Sequence, residues 1–107
     1  MRIKGGLKLK LHINTSDNKK IIIGLDDKRW EFETKEPKSQ KLLELIDKTL
    51  KKQKKGLKDV TEIEVNLGPG SFTGLRVGIS VANALAWALK IPVNGQKIGK
   101  LVEPKYG

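Results

Sequence analysis

The sequence predicts an α/β fold: a mixed five-stranded sheet with two main helices, in the order β-β-β-α-β-α-β. Three observations predict it. Leu7, Leu9, Leu11 and Ile13 alternate with Lys8, Lys10, His12 and Asn14, a period of two that gives a strand one apolar face. Leu42, Leu43, Ile46 and Leu50 recur at helical spacing, the pattern of an amphipathic helix. Between Asn66 and Arg76 a strand signal stops, a glycine-proline turn follows, and a run without proline continues to Ile91. There a strand leads straight into a long helix.

The remaining elements follow in order. Thr15 to Lys19 reads as a turn. Ile21, Ile22, Ile23 and Leu25 form a second strand interrupted by Gly24, and Asp26-Asp27-Lys28 joins it as a hairpin to a third strand through Trp30, Phe32 and Thr34. Pro37 suits the start of the first helix, with Ser39 offering a cap slightly later. That helix is expected to end near Lys55, with Gly56 as a left-handed cap and Leu57 as its hydrophobic contact. Ile63, Val65 and Leu67 alternate with Glu62, Glu64 and Asn66, which places a fourth strand within residues 59–67. Ser71 is expected to cap the second helix, which runs to about Lys90. Ile91-Pro92-Val93 reads as a short fifth strand, and residues 94–107 as a weakly structured tail.

Composition narrows the function classes. The 107 residues are 37% hydrophobic and 32% charged and include no cysteine, which fits one domain without disulfides or thiolate-bound metal. The longest apolar run, Ala84 to Leu89, is far shorter than the ~20 residues of a membrane span. No apolar segment follows the cations of the first six residues, so a cytoplasmic protein without membrane contact is expected. The net charge of +10 suits either a solubilising surface or an acidic or polyanionic partner. Lys48, Lys51, Lys52, Lys54 and Lys55 crowd the last turns of the first helix. They complement its macrodipole and offer a weak RNA or polyanion contact, although few aromatics interleave with them to stack on bases.

The turn Gly68-Pro69-Gly70-Ser71-Phe72-Thr73-Gly74 is the most specific stretch. Glycines ahead of a helix N-terminus can cradle an anion, or they can simply let a strand reverse into a helix. The dinucleotide, Walker and nucleophile-elbow fingerprints all fail here, because Thr73 replaces a third glycine, no Gly-Lys-Ser/Thr follows, and Ser71 directly follows Gly70. His12 is the sole histidine and falls on the polar side of its strand. With no acid-base pair or metal-ligand cluster visible, no catalytic residue, metal or cofactor is expected.

The second helix points to binding instead. Thr73, Arg76, Ser80, Asn83, Trp87 and Lys90 fall in one arc, while the other directions are apolar or small. Gly74, Gly78, Ala82 and Ala86 step by four into a smooth ridge suited to close packing. A single sheet covers only one side of such a helix. Its flanks, with the stripe of Leu42, Leu43, Ile46 and Leu50, are therefore expected to form a two-helix interface.

The string from Gly68 to Gly78, followed by an alanine-rich helix and Ile91-Pro92-Val93, closely resembles the signature of the TsaB (YeaZ) family. Ile13-Asn14-Thr15-Ser16 stands where that family has a strand ending in Asp-Thr-Ser, and Leu42 to Leu50 matches its first helix. The resemblance covers Leu7 to Val93. It implies an RNase H-like domain of the actin and Hsp70-like ATPase superfamily and a non-catalytic subunit of the machinery that installs threonylcarbamoyladenosine in tRNA. It implies a TsaD-like catalytic partner, TsaE as an ATPase partner, homodimerisation in isolation through the two helices, and only indirect contact with tRNA. This chain departs from the pattern at three places. Asn14 replaces the phosphate-loop aspartate, and an amide is a weaker ligand for a hard cation; Asp17 lies three positions on in a turn. Lys38-Ser39-Gln40 replaces a His-Ser-Glu. The second domain usual in the family is expected to be absent. Two other readings remain: a basic RNA-binding accessory module built on the lysines, and a truncated nucleotide-binding domain using Ser71 and the amides of the turn.

Overall fold

The computed structural model describes residues 8–35 and 38–105. Leu7 and Pro37, assigned above to the first strand and the start of the first helix, lie outside the described residues. Four strands, β1 (Lys10–Asn14), β2 (Lys20–Leu25), β3 (Lys28–Glu33) and β4 (Glu62–Val65), form one mixed sheet in the order β3-β2-β1-β4. The central strand β1 runs antiparallel to β2 and parallel to β4, so that Leu11 stands level with both Leu25 and Ile63. Two helices, α1 (Ser39–Lys52) and α2 (Phe72–Leu89), touch each other. In the sheet, α1 packs on β2 and α2 on β1 and β4.

The period of two sorts the sheet into a dry face and a wet one. Leu11, Ile13, Ile21, Ile23, Ile63 and Val65 are buried and meet Leu42, Ile46 and Leu50 of α1 and Leu75, Ile79 and Ala82 of α2 in one core. Lys10, His12, Lys20, Glu31 and Glu64 project from the other face, where Lys10 pairs with Glu64 at 3.3 Å and Lys20 with Glu31 at 3.7 Å. Such exposed pairs contribute about 0–1 kcal/mol each. They mark a solvated face more than they hold the fold.

The sheet has four strands, not five. Val93 makes one isolated parallel bridge to Ile63, and the pairing stops because Asn94 turns the chain away at φ 51°. The Asn94 side chain then takes the place of a strand: its Oδ1 accepts from Val65 N at 2.8 Å and its Nδ2 donates to Val65 O at 3.0 Å. α1 also ends earlier than expected. Gln53 closes the helix and Lys54, at φ 59°, takes the left-handed position assigned to Gly56. Gly56 instead opens a single 3₁₀ turn, Leu57–Asp59, by donating its N–H to Asp59 Oδ2 at 2.8 Å. That turn shortens the fourth strand to Glu62–Val65. Ser39 is the first helical residue, not the cap.

By length and composition α2 could cross a membrane, but its buried side packs on the sheet, as in a core helix. Beyond Asn94 the described chain has no helix or strand, yet it is tied down. Val102 is buried and exchanges two hydrogen bonds with the Asn83 amide, at 2.9 and 3.0 Å, and Lys105 N donates to Leu67 O at 2.7 Å.

Candidate functional site

The signature turn closes on the β1–β2 connection. Ser71 caps α2 as its chemistry suggests, its Oγ accepting from Gly74 N at 3.3 Å. Ser71 N in turn donates to Ser16 O at 2.7 Å. Upstream, Asn66 N donates to Ile13 O at 3.0 Å, and Asn66 Oδ1 accepts from Gly68 N at 2.8 Å. Gly68 has φ 127° and the Gly68–Pro69 peptide is cis. Pro69, Gly70, Phe72 and Thr73 are exposed, whereas Gly74 is buried.

The keystone is Thr15. It is 1% exposed, and its Oγ1 donates to Gly74 O at 2.6 Å, satisfying a buried hydroxyl. A Cβ at Gly74 would collide with the Thr15 carbonyl oxygen, and one at Gly78 with the Thr15 hydroxyl. Gly74 and Gly78 of the small-residue ridge therefore seat Thr15, the residue that follows β1, a packing use of the glycines. Periodicity alone could not find this, because Thr15 reads as a turn residue.

Asn14 is committed within the turn. Its Oδ1 accepts from both Ser16 N at 2.9 Å and Ser16 Oγ at 2.7 Å. Asp17 accepts from Lys19 N at 2.8 Å and closes its own turn. Among the described residues no three His, Cys, Asp or Glu side chains converge. His12, Asn14, Arg29, Glu31, Glu64 and Asn66 line an open depression of about 530 Å³ on the wet sheet face. Burial, then the Arg29 guanidinium, hold the His12 imidazole below its usual pKa, against the opposing pull of Glu64.

The predicted interface residues separate into two sets. Leu42, Ile46 and Leu50 are fully buried in the chain's own core, because α1 turns that stripe toward β2; they are not available to a partner, which corrects the expectation. Leu43, set to one side of the stripe, is 43% exposed. On α2, Thr73, Arg76, Ser80 and Trp87 are exposed, with Trp87 at 69% and Phe72 at 54%. Arg76 lies over the Phe72 ring, 5.3 Å from its centroid. Asn83 faces the tail instead. The tail itself presents Ile98 and Leu101, both exposed and both absent from the sequence-based interface. Lys48, Lys51, Lys52, Lys54 and Lys55 are all exposed at the end of α1.

Known proteins are similar to this chain in sequence and in fold. The family model of TsaD, tRNA N6-adenosine threonylcarbamoyltransferase, matches residues 33–95. The chain is 38% identical over 77 residues to the tRNA threonylcarbamoyladenosine biosynthesis protein TsaB of Buchnera aphidicola, covering 72% of this chain and 34% of that protein. It is 35% identical over 57 residues to TsaB of Escherichia coli, covering 53% and 25%. Among solved structures, YeaZ from Pseudomonas aeruginosa is similar with a TM-score of 0.68 at 30% identity, over 80% of this chain and 43% of that one. The chain spans between a quarter and about a third of the length of these two curated relatives.

Proposed function

Because the chain belongs to the TsaD family of tRNA N6-adenosine threonylcarbamoyltransferase domains, among its TsaB (YeaZ) members, we propose that it is a non-catalytic subunit in tRNA threonylcarbamoyladenosine formation. It acts by holding a second protein, a TsaD-like catalytic subunit or another copy of itself. The observation that carries this reading is the exposed side of α2, where Trp87 and Phe72 stand 69% and 54% exposed on a helix whose opposite side is core. Large aromatics in the open are the usual anchors of protein interfaces. In the neighbouring turns the Asn14 amide oxygen accepts from Ser16 N and Ser16 Oγ, and Ser71 Oγ accepts from Gly74 N as a helix cap.

The test is association. Size-exclusion chromatography with light scattering, and co-elution with a TsaD-type subunit, are expected to show a complex that Trp87→Glu disrupts. A strict monomer at all concentrations that also fails to co-elute with the TsaD-type subunit overturns the proposal. Whether TsaE joins such a complex is read from the same co-elution.

A further inference from the structure

The charge of this chain is concentrated at one place. Residues 38–59 hold eight lysines against Glu44, Asp47 and Asp59, a net +5 of the total +10, whereas residues 60–93 balance Arg76 and Lys90 against Glu62 and Glu64 to net zero. The fold gathers the excess where α1 ends. Lys48, Lys51, Lys52, Lys54, Lys55 and Lys58 are all exposed, and among the described residues only Lys51 of these has an ion pair, with Asp47 at 3.0 Å. The early stop of α1 matters here, because the left-handed turn at Lys54 swings Lys54 and Lys55 off the helix axis. Lys28 joins them from the β2–β3 hairpin, its Nζ donating to Gln53 Oε1 at 3.2 Å. Asp26 and Asp27 line the adjoining groove with Lys55 and bound the basic patch on that side.

We propose that this basic end of α1 binds the phosphodiester backbone of folded RNA directly, as a sequence-independent contact separate from the α2 face. Lysines are point charges suited to phosphates but carry no planar fork to read bases. The same patch is poorly suited to an anionic bilayer, because Leu57 is its one apolar side chain and is half-buried, leaving nothing to insert. The choice of tRNA as partner rests on the pathway reading above; the two readings fail separately, since association through Trp87 is measured without RNA.

The experiment is fluorescence anisotropy of a labelled, folded tRNA transcript with the full chain at several salt concentrations. Four or five phosphate contacts make wild-type affinity fall about 100-fold or more between about 50 and 200 mM salt. Replacing four lysines, K51Q/K52Q/K54Q/K55Q, is expected to weaken binding at least about 10-fold at low salt and to flatten the log–log slope by about 3. The tail variant K97Q/K100Q is expected to bind as wild type. The charge-reversal pair K54E/K55E carries the same reading if the quadruple variant does not fold. Three results overturn the proposal: no wild-type binding at low salt, lysine variants that bind as wild type, or vesicles of phosphatidylcholine and phosphatidylserine captured with the same lysine dependence.

Discussion

Thr15 and the glycines of α2 form a close contact, and its energetics can be separated by substitution. In a helix interior, Gly→Ala is ordinarily stabilising by about 1 kcal/mol. At Gly78 the added methyl meets the Thr15 hydroxyl, which is held by its bond to Gly74 O. Gly78→Ala is therefore expected to lower stability by about 1–3 kcal/mol and to become neutral or stabilising in a Thr15→Ala background. Gly74→Ala meets a backbone oxygen and is expected to destabilise in both. Urea midpoints of the four combinations measure this coupling; equal cost of Gly78→Ala in both backgrounds refutes the packing account. His12 gives a second prediction at this scale. Its folded pKa lies below the ordinary 6.5 because burial and Arg29 disfavour the imidazolium, with Lys10 adding to them and Glu64 and Asp26 opposing. The unfolded chain then binds the proton first. His12 contributes nothing above its unfolded pKa, and stability falls as pH drops through 6.5 toward the lower folded value. The urea midpoint is expected to fall on acidification by more in wild type than in His12→Gln.

Single amide side chains end and secure several elements, and this is where the sequence is least legible. The alternation in β1 and β2 and the leucine spacing of α1 are local properties, so they can be read directly. The fate of residues 91–93 depends on Asn94, whose side chain occupies Val65 N and O; nothing in the triplet Ile91-Pro92-Val93 reveals that competition. Lys54 rather than Gly56 takes the left-handed position because Asp59 claims the Gly56 N–H, a contact visible only once the 3₁₀ turn exists. In the candidate site, the N-cap at Ser71 is legible from its neighbours, whereas burial of Leu42, Ile46 and Leu50 depends on which way α1 faces. Asn94→Ala is expected to cost about 2 kcal/mol, from two hydrogen bonds, plus up to about 1 from the left-handed backbone. Asn94→Gly should recover only the second part. Asn83→Ala should release Val102 and speed tryptic cleavage at Lys97 and Lys100 without a comparable loss of midpoint.

At the scale of the molecule, the fold places its core and the proposed association surface on opposite sides of the same helix layer. The sheet-facing side supplies the core, and the outer side of α2 leaves Trp87 in the open. The two properties should therefore respond to different substitutions. Ile46→Ala removes buried methyl and methylene groups and is expected to cost about 2–5 kcal/mol, a fall of about 10 °C or more in Tm for a domain of this size. Trp87→Glu acts on an exposed position and should change the stability of the dilute protein by no more than about 0.5 kcal/mol. Association reverses the ranking. If wild type self-associates, its Tm rises with protein concentration by mass action. Trp87→Glu should abolish that rise, whereas Ile46→Ala should lower the whole curve and keep its slope. A thermal scan of the three proteins over a range of concentrations reads both effects at once. A concentration dependence that survives in Trp87→Glu places the interface somewhere other than the outer side of α2.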